Sequence, residues 1–104
     1  DRVDARIYTV GTSNTIHMYD NASAKVEGNT DMLAVELYDN SNLKAEKVEA
    51  TKVVAYLEGS PNTKLKAIEE FDLSSKGSAK TQLYGNPKIV IKNFLDTSQL
   101  HKEN

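Results

Sequence analysis

The side chains in this sequence that could do chemistry are two histidines, a set of aspartates, a recurring lysine and three tyrosines. The repeat described below places His17 and His101 in different outward columns at opposite ends of the molecule. They are therefore not expected to share a metal or act as an acid–base pair, and solvated surface is the expected role. Asp20, Asp31 and Asp39 offer the hard oxygen donors that calcium takes. The glycine-paired nonapeptide of calcium-binding solenoids is absent, however. Stacked turn carboxylates are the simpler expectation, with their repulsion relieved by Asn21 and Asn40. The sequence contains no Ser/His/Asp arrangement, phosphate-cradling glycine loop or closely paired carboxylates. No catalytic residue, metal or cofactor is expected.

The lysines and tyrosines are the candidates for binding. Lys25, Lys44 and Lys64 recur at rung spacing and, extended by Arg6, form a cationic stripe. Such a stripe is usually solvation, balanced here by Glu27, Glu46 and Glu103; its functional reading is attraction of an anionic glycan or surface polymer. Tyr19 and Tyr38 fall in one outward column on consecutive rungs, with Tyr56 diagonally beside them. An aromatic patch on a flat sheet face can stack on sugar rings or pack against a protein. The structural alternative is a cross-rung aromatic ladder that stabilises the sheet.

The elements that must position these residues are legible in a repeat. "MYDNASAKV" (18–26) and "LYDNSNLKA" (37–45) say nearly the same thing nineteen residues apart. Anchored on Met18, Leu37, Leu57, Ser75 and Phe94, the steps are 19, 20, 18 and 19 residues. Two places on stand Asp20, Asp39, Gly59, Gly77 and Asp96, followed by Asn21, Asn40, Ser60, Ser78 and Thr97. All suit a sharp turn, because glycine accepts positive φ and Asx or Ser side chains bond their own backbone.

The flanks sort into alternating columns, as a strand requires. Ile16, Val35, Ala55 and Leu73 form one inward column, and Leu33, Val53, Phe71 and Val90 another. After the turn come Ala24, Leu43, Thr63, Thr81 and Leu100, then Val26, Ala45, Leu65, Leu83 and Lys102. Lys25, Lys44, Lys64, Gln82 and His101 alternate with them and face water. Lys92 and Lys102 break inward columns, so the C-terminal rung is expected to fray or cap. This is the pattern of a β-solenoid with a period near 19 residues and about five rungs.

Residues 43–58, "LKAEKVEATKVVAYLE", also read locally as a helix, with Ser41 as N-cap and Gly59 as C′. The repeat argues against it, since a helix puts Leu43 and Ala45 on faces about 200° apart. A sandwich or barrel of short strands, or a mixed fold with one helix, is the remaining alternative.

Composition narrows function. At 104 residues the chain is expected to form one domain, 1–104, with 1–13 a partial N-terminal rung and 14–102 the repeats. Thirteen basic against fifteen acidic residues give a formal charge of -2, which argues against nucleic acid as a partner. There are no cysteines, and hence no disulfides or thiolate sites. No apolar run approaches the roughly 18 residues of a membrane span.

"LEGSPNTKLKA" (57–67) and "SKGSAKTQLYGNPK" (75–88) resemble the rungs and closing Gly-Asn-Pro of the head GIN domain family, bacterial envelope proteins described as auto-transporter adhesins. The resemblance covers roughly 14–102, and its most specific piece is Leu83-Tyr84-Gly85-Asn86-Pro87. The family's repeated Gly-Ser-Gly turn reads here Asp-Asn-Ala, Asp-Asn-Ser, Gly-Ser-Pro, Gly-Ser-Ala and Asp-Thr-Ser, as in a divergent or shortened member. The resemblance implies a right-handed parallel β-helix in an extracytoplasmic place, at the surface or in the periplasm of a Bacteroidetes-like cell.

Counting nineteen back from Ala24, Lys25 and Val26 lands on Ala5, Arg6 and Ile7, so the chain starts partway through a rung. Its exposed strand edges call for an upstream segment or a partner, and homo-oligomerisation through the solenoid ends is the preferred expectation. The function expected is a non-enzymatic envelope or surface module, an adhesin or scaffold binding a glycan or surface protein through Tyr19, Tyr38, Tyr56, Lys25, Lys44 and Lys64. The alternatives are a polysaccharide-lyase-like β-helix enzyme, for which five short rungs leave little groove, and a purely structural oligomerisation unit.

Overall fold

The computed structural model describes residues 4–94, 96 and 98–103, with side chains for 8–94, 96 and 98–102. Seven strands follow one another: β1 (Asp4–Met18), β2 (Ser23–Asp39), β3 (Asn42–Gly59), β4 (Asn62–Ser75), β5 (Lys80–Tyr84), β6 (Lys88–Phe94) and β7 (Gln99–Glu103). All pair in parallel in the order β1-β2-β3-β4-β5-β7, with β6 on β4. The pairs Asp4↔Ser23, Ser23↔Asn42, Asn42↔Asn62, Asn62↔Lys80 and Lys80↔Gln99 set successive rungs at 19, 19, 20, 18 and 19 residues. The molecule is a parallel β-solenoid of about five turns. The local helix signal over 43–58 loses to β3, because in a helix the residues that stack on β2 and β4 would leave the core.

The turn repeats as its residue types require. Asp20, Asp39 and Asp96 take φ of 60°, 62° and 61°, and Gly59 and Gly77 also have positive φ. Short polar side chains tolerate this left-handed region best after glycine. The inter-rung ladder runs on through the turn: Asn40 N–H donates to the Asp20 carbonyl at 3.0 Å, Ser60 to Asp39 at 2.8 Å and Ser78 to Gly59 at 2.8 Å. The next position points inward and carries only compact residues, among them Ser41, Pro61, Ala79 and Ser98, all buried.

The core is the stacked inward columns. Leu33, Val53 and Phe71 are fully buried, as are Leu37 and Leu57, and Leu43, Ala45, Leu65 and Leu83 on the strand after the turn. Alternation slips within each rung, from Val26 to Thr30 to Leu33 on β2, and from Ala45 to Val48 and Ala50 to Val53 on β3. These slips are where the chain rounds a corner and opens another inward set, Thr30, Val48, Ala50 and Ala67. At one corner Gly28 runs so close to the rung below that a Cβ would overlap the Thr9 carbonyl.

Two column assignments change at β6. Phe71 lies opposite Ile89, and Val90 lies opposite Asp72 in an outward column, because the rung that starts at Asn62 is 18 residues long. Leu73 accordingly lies opposite Ile91, and Lys92 is the extra residue at a bulge, so it does not break an inward column. Lys102 does stand opposite Leu83, and its Nζ turns to the Asn86 side-chain carbonyl at 2.6 Å.

Candidate functional site

The outer face of the strand before the turn carries the tyrosines. His17 lies opposite Glu36, which lies opposite Tyr56; Tyr38 lies opposite Glu58. Tyr19 and Tyr38 stack face to face, with centroids 5.0 Å apart and planes 5° apart. Tyr56 leans on Tyr38 at 5.9 Å and 38°. His17 meets Tyr19 edge-on, at 6.3 Å and 79°. The sequence thus places all three tyrosines correctly. Sequence reading passed over His17 and Glu36 as members of the patch, although both stand two residues before a tyrosine and share its face.

The polar groups of the row are tied together. His17 Nε2 bonds Glu36 Oε2, and the Tyr38 hydroxyl donates to Glu36 Oε1 at 3.1 Å. Loss of water around the Tyr38 phenol raises its pKa above the usual tyrosine value, and the hydrogen bond and negative charge of Glu36 push the same way. Stacking decides what the row can hold. Both faces of Tyr38 are occupied by other tyrosines, so it offers a partner only its edge and hydroxyl. Tyr19, at the end of the row and 54% exposed, has the freest ring. The arrangement presents a flat aromatic edge with a charged rim rather than a set of open platforms.

The lysines form a second face, on the strand after the turn. Lys25, Lys44 and Lys64 lie directly opposite one another on successive rungs, and the backbone of Arg6 continues the register below. The structure does not merge this stripe with the tyrosine row, since the turn separates the two strands. Lys64 approaches Glu46 at 4.0 Å. A shallow hollow beside the stripe is lined by Asn42, Asn62 and Lys80 as well as Lys44 and Lys64. Sequence reading omitted Asn42, Asn62 and Lys80, although they share one outward register column two places before the lysines.

The carboxylates are engaged otherwise. Asp39 Oδ2 accepts the backbone N–H of Asp20 at 3.2 Å. No cluster of three metal-ligating side chains occurs among the described residues. His17 and His101 stand on β1 and β7, the first and last strands of the sheet path.

No curated protein and no solved structure matches the chain. A family model described as "Putative auto-transporter adhesin, head GIN domain" matches residues 3–87. The match ends on Pro87, the last residue of the Leu83–Pro87 segment that closes β5, and reaches nearer the N-terminus than the turn repeat alone. Since the model covers most of the 104 residues, the chain belongs to the head GIN domain family.

Proposed function

We propose that the domain is a non-enzymatic, extracytoplasmic binding module that docks a protein partner on a cell surface through the Tyr19–Tyr38–Tyr56 row. Family membership supports an adhesin-like head domain outside the cytoplasm. The observation that carries the reading is the stacked row itself. Tyrosines locked by one another lose little side-chain entropy on binding, and their edges and hydroxyls suit a flat protein surface. Sugar stacking needs open ring faces, and the row keeps those of Tyr38 covered.

The test uses fluorescently labelled domain retained on intact bacterial cells. Retention should fall at least tenfold with Tyr19→Ser/Tyr38→Ser, and should be abolished when the cells are first treated with protease. Retention that survives both would overturn the proposal.

A second reading, self-association through a solenoid end, is favoured by the end of the core. Ile89, Ile91 and Phe94 are 37%, 50% and 39% exposed, whereas their partners Phe71, Leu73 and Ser75 one rung below are buried. Among the described residues β6 pairs only with β4, while β7 stands one rung higher on β5. That end is a half-rung step, a shape that two copies can fit into one another about a two-fold axis. Sedimentation over a concentration series should show a dimer that Ile91→Lys dissolves; a monomer throughout excludes this reading.

A further inference from the structure

Charges facing each other across rungs elsewhere in the molecule are of opposite sign. Lys52 lies opposite Glu70, with Nζ 3.2 Å from Oε2. Glu27 lies opposite Lys47 at 4.0 Å, and His17 opposite Glu36. The strand after the turn breaks this rule, because Lys25, Lys44 and Lys64 stand directly opposite one another. Rungs are about 4.8 Å apart, and like charges directly opposite destabilise a sheet. Neutralisation is partial: Lys64 approaches Glu46 at 4.0 Å, and Glu27 and Glu46 line a hollow with Lys25 and Lys44, yet among the described residues Lys25, Lys44 and Lys80 make no ion pair. A departure from a rule the same molecule keeps elsewhere marks a place where function has taken precedence over stability.

The surroundings specify the ligand. The hollow beside the stripe adds the amides of Asn42, Asn62 and Gln82 to the ammonium groups of Lys44, Lys64 and Lys80. Amides bond hydroxyls as donor and acceptor, and ammonium groups bind carboxylates or sulfates. Among the described residues the imidazole of His101 is the one ring that lines the hollow, and no tyrosine, phenylalanine or tryptophan does, so it lacks the succession of platforms on which the bases of single-stranded nucleic acid stack. We propose that this face binds an acidic polysaccharide laid along the solenoid axis, its anionic groups between the lysines and its hydroxyls on the amides. The inference stands independently of the tyrosine row.

The test uses oligogalacturonate as probe, with neutral dextran and single-stranded oligothymidylate as comparisons, at low and at physiological salt. Oligogalacturonate should bind and dextran should not, with affinity falling as salt rises. The triple variant Lys25→Gln/Lys44→Gln/Lys64→Gln should lose at least tenfold in affinity. Without ligand the same variant should melt at a higher temperature than the parent, because its repulsion is gone. That rise separates a binding stripe from a structural one and shows that the variant folds. Equal binding of dextran, tighter binding of oligothymidylate, or unchanged affinity in the triple variant would each overturn the proposal.

Discussion

Asp39 holds the backbone N–H of Asp20 on its Oδ2 at 3.2 Å from one rung away, and both residues are in the left-handed region. Asp96 does the same for Gly77 at 3.0 Å. A left-handed residue with a Cβ costs roughly 1–2 kcal/mol. The turn aspartates offset part of that by capping an N–H of the preceding turn. The acidic character of "YDN" is thus a consequence of turn geometry, and no metal need be invoked to explain why it recurs.

Substitutions at Asp39 should rank by this account. Asn keeps the acceptor and the tolerance of positive φ, so Asp39→Asn should be nearly neutral. Glycine relieves the backbone but loses the hydrogen bond, so Asp39→Gly should cost a few tenths of a kcal/mol. Asp39→Ala loses the bond and gains full strain, and should cost about 1 kcal/mol. Urea unfolding of the three variants checks the order; an alanine variant as stable as the parent would remove the cap from the account.

The phenol of Tyr38 gives an alkaline signature. Its pKa is raised in the folded state, first by loss of water and then by Glu36. Because the folded pKa lies above the unfolded one, the stabilisation is fully present below about pH 10 and is lost as pH rises through the folded value. Absorbance titration of phenolate should show one tyrosine ionising late. Glu36→Gln, which removes the charge and keeps an acceptor, should bring that titration back toward the ordinary range.

Glu70 gives the acid counterpart. A hydrogen bond from Lys52 lowers its pKa, with Asp72 contributing in the same direction. A depressed folded pKa means stabilisation that is present above the unfolded value and lost as pH falls through the folded one. The stability gap between the parent and Glu70→Gln should therefore be open near about pH 7 and close below about pH 4. A gap independent of pH would mean that the glutamate acts through packing and not through charge.

Much of this architecture is legible in the sequence, because a solenoid writes its register as a period. Asp20, Asp39, Gly59, Gly77 and Asp96 mark the turn, and all five have positive φ. The tyrosine row follows from the same count. What the count misses lies where the period is not constant. The rung that starts at Asn62 is one residue shorter, which moves Val90 out of line with Phe71 and puts Ile89 there instead. The corners lie where inward spacing slips from two to three or four, which hides Val48, Ala50 and Ala67 from a search for alternation. The Glu36 bonds to His17 and Tyr38 depend on side-chain reach across rungs, which spacing alone does not encode.

The inward column after the turn contains a correctable cost. Thr63 and Thr81 sit between Leu43 and Leu100 in register, 3% and 1% exposed. Their hydroxyls find no hydrogen-bond partner among the described residues. A buried, unsatisfied hydroxyl costs roughly 1–3 kcal/mol. Valine keeps the branched shape and strand preference while replacing the hydroxyl with a methyl that the leucines above and below can pack against. Thr63→Val and Thr81→Val should each stabilise the domain by about 1 kcal/mol. The two gains should fall short of additivity, because the residues touch across one rung. Thermal unfolding of the single and double variants tests this, and a destabilised Thr81→Val would show that its hydroxyl has a partner worth more than the packing gained.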